Sequence, residues 1–312
     1  MEYPLLLAGF IILIYSGKYL VKSSVSIANY FNIPKIFIGL TIVAMGTSAP
    51  ELLVSINASL TGHPDVAMYN VIGSNISNIA FVLAITAMVY PVAIRSLTLK
   101  SNLPVMIGIL LVMYVLVLDK ELSRLDGFLL FAYLAASVIL YYYQARGSDD
   151  NHKIQGEKDL NLGLSLILIL ICSGGLAYGA HLLVDNAIII ARHFGISERI
   201  ISVTLVAVGT SIPELTTSVI ASLRKESDIS IGNIIGSNLY NVGFVLGITA
   251  LIKPISVNPL ALGFDIYIMI GISVMLFILF VLPLKFNLSR WKSFFLFSIY
   301  LIYLYLILEK IN

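Results

Sequence analysis

Long apolar runs alternate with short polar connections from one end of this chain to the other, and only a bilayer gives so many of them somewhere to go. Ten runs cover roughly 4–30, 35–60, 66–90, 101–118, 124–145, 161–191, 198–223, 229–252, 259–284 and 290–309. About 20 apolar residues in a helix cross the hydrocarbon layer, so the expected fold class is all-α: a polytopic membrane protein with ten transmembrane helices. Composition agrees, since 59% of the 312 residues are hydrophobic and 12% charged, where a soluble domain carries about a quarter charged residues. The opening MEYPLLLAGFIILIY lacks the basic lead of a cleaved signal peptide and reads as the first span. A net charge of +2 offers no electrostatic attraction for nucleic acid, and one cysteine, Cys172, excludes an internal disulfide and argues against a thiolate metal site.

The chain is also duplicated. Shifted by 163 residues, 41–91 matches 204–254 at 27 of 51 positions without a gap. GTSAPE (46–51) returns as GTSIPE (209–214), and GSNISN (73–78) as GSNLYN (236–241). Residues 1–146 form one repeat of five spans, 161–312 the other, and the polar stretch 147–160 links them. Five is odd, so the two copies run through the membrane in opposite directions. Inverted repeats interrupted by Gly and Pro are the pattern of secondary transporters, with a site at the midplane.

The best-matched residues are polar and lie deep. Glu51 and Glu214 each fall a few residues past the middle of their spans, offset by roughly 4 Å from the midplane at the helical rise. A carboxylate there costs on the order of 3 kcal/mol on insertion scales, which a bound cation would offset. A carboxyl kept protonated by its surroundings is the blander reading, and two symmetric copies beside matching helix breaks argue against it. Pro50 and Pro213 have no N–H for the carbonyls of Gly46 and Gly209, and carbonyls freed beside a cavity become cation ligands. Thr47 and Glu51 are spaced i, i+4, as are Ser74 and Asn78, Thr210 and Glu214, and Ser237 and Asn241, so each pair shares a helix face. Such pairs can converge on a pocket of oxygen ligands alone, which suits hard cations such as Ca²⁺ and Na⁺. No His or Cys belongs to the set, which argues against zinc or copper.

Paired GTSxPE blocks, each followed by GSNxxN in the next span, resemble the alpha repeats of the Na⁺/Ca²⁺ exchangers within the Ca²⁺/cation antiporter superfamily, here of the prokaryotic type without a regulatory domain. The resemblance implies an antiporter that carries Na⁺ and Ca²⁺ alternately and needs no cofactor. By that resemblance the ion ligands are Thr47, Ser48, Glu51, Ser74 and Asn78, with Thr210, Ser211, Glu214, Ser237 and Asn241, and Ala44 and Ala207 add backbone carbonyls. Some relatives, notably K⁺-dependent ones, carry Asp where this chain has Asn241, so two carboxylates and no third speak against K⁺ cotransport. Tyr69 also departs from the pattern of the second copy, which has Gly232 there. Asn75 and Asn238 are expected to bond across helices and hold the site together. The resemblance further makes the first and sixth spans a moving gate, where Gly174, Gly175 and Gly179 would allow close sliding contact or ordinary helix packing.

Three other functions compete. A Ca²⁺/H⁺ antiporter would use the same two glutamates; a cation channel would pass ions without a counter-ion; and a membrane hydrolase would need a base that Ser48 and Ser211 lack nearby in sequence, so the chain is not expected to be an enzyme. Lys and Arg number eleven in the connections on the linker's side and six on the other, which puts the linker in the cytoplasm and both termini outside, in a cell membrane. His63, Asp65 and Asp228 read as solvated or helix-capping, and Lys18, Lys22, His181 and Asp185 as interfacial or mutually satisfied charges. The partners expected are the ions and the lipid bilayer; two repeats in one chain already complete a site, so no protein partner is required.

Overall fold

The structure, a computed structural model, describes residues 2–146, 160–196, 201, 207–257, 264–282 and 287–310. Among them, seven helices are long and apolar enough to cross a membrane: α1 (Glu2–Phe31), α4 (Pro64–Val89), α5 (Thr98–Asp119), α6 (Arg124–Arg146), α7 (Leu162–His193), α9 (Ser227–Ile252) and α11 (Arg290–Lys310). An eighth span is a broken pair, α2 (Lys35–Thr47) and α3 (Ala49–Leu60), bent by 42°. Two shorter apolar helices, α8 (Ile212–Leu223) and α10 (Ile266–Val281), stand where the seventh and ninth runs were expected. Most of 198–206, the lead into α8, lies outside the described residues, as do 147–159 of the linker. The chain is thus an all-α, polytopic membrane protein.

Burial sorts these helices. The most apolar windows of α4 and α9 are 78% and 83% buried, against 22–39% for α1, α5, α6, α7 and α11. The two that carry GSNxxN therefore form the centre, and their near-continuous burial explains why polar residues on them face protein. Glycine sets the spacing at one crossing. A Cβ on Gly232 of α9 would stand 2.7 Å from the Ile36 carbonyl oxygen, and one on Gly39 of α2 would stand 2.8 Å from the Ile229 carbonyl, so neither position admits a side chain without moving backbone. At the equivalent of Gly232, Tyr69 keeps 39% of its surface exposed, which is how the bulkier residue is accommodated.

α1 and α7 pack along each other, as the paired first and sixth runs suggested. Gly179 lies against Gly9 and Leu13, and Gly175 against Ser16, whereas Gly174 has nothing within 4 Å. Two of the three expected contact glycines are therefore used. Two short antiparallel ribbons tie the halves together: β1 (Val92–Ala93) pairs with β4 (Asn287–Leu288), and β2 (Glu121–Leu122) with β3 (Ile255–Ser256).

Candidate functional site

The break between α2 and α3 follows from its residues. Ser48 leaves the helix at φ −88°, ψ 3°, and Ser211 does the same at −90°, 3°. Each is the N-cap of the next helix, where a serine hydroxyl ordinarily accepts a bond from a first-turn N–H. Neither makes that bond, and Pro50 and Pro213 remove one first-turn donor each. Both hydroxyls are left buried without a hydrogen-bond partner among the described residues. Glu51 and Glu214 sit in the first turns of α3 and α8, where the positive end of the helix dipole favours a carboxylate.

Polar side chains from the two halves meet there. The Thr47 hydroxyl donates to Asn233 Oδ1 at 3.2 Å and lies 3.3 Å from Ser237 Oγ. The converse contact joins Ser74 Oγ to Thr210 Oγ1 at 3.4 Å. The Asn241 amide donates to Asn75 Oδ1 at 3.1 Å. Thr47 of the first half also lies beside Glu214 of the second, and Glu51 is the counterpart of Glu214 in the first half. Both are fully buried, and all four of their carboxylate oxygens lack a partner among the described residues. So do Asn78 Oδ1 and Asn241 Oδ1. Buried polar atoms are nearly always satisfied, so an unpartnered set of hydroxyl, amide and carboxylate oxygens is fitted to a hard cation.

Backbone geometry adds to this. Asn78 and Asn241 each open a π-helical segment, Asn78–Leu83 and Asn241–Leu246. Such wide turns disturb the regular i→i−4 ladder and recur at functional sites. A third, Gly39–Val43, precedes the break in α2.

Of the twelve expected ligands, Thr47 meets Ser237 and Ser74 meets Thr210 across the two halves, while Ser48, Glu51, Asn78, Ser211, Glu214 and Asn241 are buried side chains with oxygens that lack a partner among the described residues. The Ala44 carbonyl accepts the Ser48 N–H at 3.0 Å and lies 3.3 Å from the Thr47 hydroxyl, whose one proton also has Asn233 Oδ1 within reach. Ala207 opens the short turn Ala207–Gly209, and its side-chain surroundings lie outside the described residues. Beyond it the Ser211 N–H bonds Val208, 3.0 Å away. The expected cross-helix role holds for Asn75 but not for Asn238, whose amide bonds Ile234 within its own helix at 2.7 Å. Asp228 is no solvated cap: it pairs with Arg95 at 2.7 Å.

Two pairs were missed by motif reading. Asn70 donates to Ser55 Oγ at 3.0 Å and to the Glu51 carbonyl at 3.3 Å. Asn233 donates to Ser218 Oγ at 3.0 Å while it receives Thr47. They clamp each glutamate helix to the GSNxxN helix that follows. The signal was present, because Ser55 matches Ser218 and Asn70 matches Asn233 across the duplication.

The sodium/calcium exchanger protein profile matches residues 2–143 and again 164–309, one match for each half. This chain belongs to the sodium/calcium exchanger family. It is 30% identical over 352 residues to the sodium/calcium exchanger MaX1 of Methanosarcina acetivorans, covering 97% of each chain. It is also 36% identical over 280 residues to the inner membrane protein YrbG of Escherichia coli, covering 86% of each. Among solved structures, the sodium-calcium exchanger NCX_Mj, soaked with 2.5 mM Na⁺ and 0.1 mM Ca²⁺, superposes with a TM-score of 0.81 at 30% identity, covering 96% of both chains. As a family member the exchanger is an integral multi-pass membrane protein, its cargo is Ca²⁺ and a counter-cation, and those ions are substrates.

Proposed function

We propose that this exchanger swaps Na⁺ for Ca²⁺ by alternating access at one oxygen-ligand site built from both repeats. The observation that carries the proposal is the pair of fully buried, unpartnered carboxylates, Glu51 and Glu214, one from each half. Two negative charges balance one Ca²⁺, and the surrounding hydroxyl and amide oxygens also suit Na⁺. Because both ions need the same glutamates, occupancy is exclusive, and exclusive occupancy is what couples the two fluxes. No activated nucleophile is invoked, so the protein is a carrier rather than an enzyme, and it acts as a monomer.

The membrane topology belongs to the same proposal. The β2–β3 ribbon joins two connections that must lie on one side, so an even number of spans separates them. α6, α7 and α9 are three, and the segment containing α8 supplies the fourth. The β1–β4 ribbon supports the same parity, with α10 counted as a span. This supports a reading of ten crossings in two inverted sets of five, and the weighting of basic residues supports a cytoplasmic linker with both termini outside.

The test is ⁴⁵Ca²⁺ uptake into proteoliposomes with each counter-ion in turn. Uptake should follow an outward Na⁺ gradient and survive a protonophore. Uptake that follows a proton gradient instead would replace this reading with the Ca²⁺/H⁺ antiporter, and ion flow with no counter-ion would replace it with a channel.

A further inference from the structure

From Glu214 a row of oxygens leads out of the site. Ser218 and Ser222 follow at intervals of four along α8, both fully buried, and Glu226 stands in the turn at the foot of that helix. Asn233 of α9 bonds Ser218, the Ser222 hydroxyl donates to the Tyr90 carbonyl at 3.3 Å, and Ser230, three residues before Asn233 on α9, is also buried. Thr217 Oγ1 and Ser230 Oγ have no partner among the described residues. The fold does not require hydroxyls there, since the first copy carries Val54 and Ala67 at the same two positions. At the end of the row sits a cation that belongs to the protein. Lys35 Nζ, from the start of α2, donates to both oxygens of Glu226 at 2.7 and 2.6 Å, with only 10% and 16% of the two side chains exposed. The ion pair lies at the same end of α2 and α9 as the tight Gly39–Gly232 crossing.

The first copy repeats the pattern toward the opposite end: Glu51, Ser55 and Ser59 at intervals of four, then His63. Its Ser59 hydroxyl is buried and unpartnered, and Lys253 Nζ donates to the Ser59 carbonyl at 2.9 Å. Each glutamate therefore has its own hydroxyl row, and the rows leave the site in opposite directions.

We infer that Glu214, Ser218, Ser222 and Glu226 line the half-pathway by which ions pass between the site and the face that carries Lys35, and that Lys35 is a tethered cation that shuts it by occupying Glu226. When Lys35 withdraws, Glu226 becomes an outer station for Na⁺ or Ca²⁺. Residues on the row are transient ligands, while Lys35 is a positioning residue that touches no ion. The inference rests on the antiporter reading above.

The test uses the full chain on a Cys172→Ser background, with Ser222→Cys as reporter and a cationic, membrane-impermeant thiol reagent applied from either face. Lys35→Gln should raise the rate of labelling from the Lys35 face ~10-fold. Added Ca²⁺ or Na⁺ should slow labelling, and the charge-swapped pair Lys35→Glu with Glu226→Lys should return the rate to that of the parent. An unchanged rate, no labelling from either face, or a rise from both faces would overturn the inference, the last because it marks general loosening. Labelling needs no transport, so proton-driven uptake would remove the Na⁺ reading and leave this result standing. Failed labelling beside intact Na⁺-driven uptake would remove only the latch.

Discussion

The chemistry of the site rests on two carboxylates that have no partner of opposite charge among the described residues. Glu51 and Glu214 are fully buried, and their oxygens have no partner among the described residues. Glu51→Gln and Glu214→Gln keep shape and lose charge, so each should lower Ca²⁺ transport by at least ~100-fold while expression and thermal unfolding stay near those of the parent; near-normal exchange in either would refute the ligand assignment. Asn241 is the next informative position, because its amide donates to Asn75 while its oxygen is free for an ion. In Asn241→Asp only the protonated carboxyl can keep that bond. Exchange should therefore gain a steeper pH dependence, measured as uptake between pH 6 and 8, about the range over which a perturbed carboxyl titrates, with folding little changed. A pH profile identical to the parent's would show that Asn241 does not face the ion. These residues were legible in the sequence because the duplication marks them twice. Which carbonyls a broken helix offers is not legible in the sequence, because it depends on local bonds such as that of the Ser48 N–H to the Ala44 carbonyl.

At the scale of elements, proline breaks the glutamate helices and glycine sets how closely the central ones approach. Pro213→Ala would restore an N–H for the Gly209 carbonyl and favour a straighter helix. The expected result is weaker Ca²⁺ binding in a protein that unfolds at the same or a higher temperature. Gly232→Val would drive a side chain into the Ile36 carbonyl, 2.7 Å from the first added carbon. Overpacking of this kind costs about 1–3 kcal/mol, and it should appear as a lowered melting temperature. Gly174→Ala, with nothing within 4 Å, is the matched control and should leave stability within about 0.5 kcal/mol. The breaks were readable from Pro50 and Pro213, and the α1–α7 contact from its glycines. The π-helical segments at Asn78 and Asn241 were not, since an i→i+5 turn has no periodicity of its own and is fixed by how the neighbouring helices pack around it.

For the whole molecule, the proposed architecture grows from the duplication: five spans per copy would make the copies run oppositely, and the two ribbons join connections from opposite halves. The all-α, membrane-spanning class was readable from hydropathy, because a bilayer leaves few alternatives to spanning helices. The contacts that tie one half to the other were not, since partners such as Lys35 and Glu226 lie 191 residues apart and no local pattern announces them. The account makes one central claim, that Na⁺ and Ca²⁺ compete for a single site whose charge comes from both halves. Equilibrium ⁴⁵Ca²⁺ binding to the purified protein, titrated with Na⁺, tests it most directly. Na⁺ should displace bound Ca²⁺ to completion, and Glu51→Gln and Glu214→Gln should each lose Ca²⁺ binding. Simultaneous binding of both ions at saturation, or full Ca²⁺ binding in either variant, would contradict it.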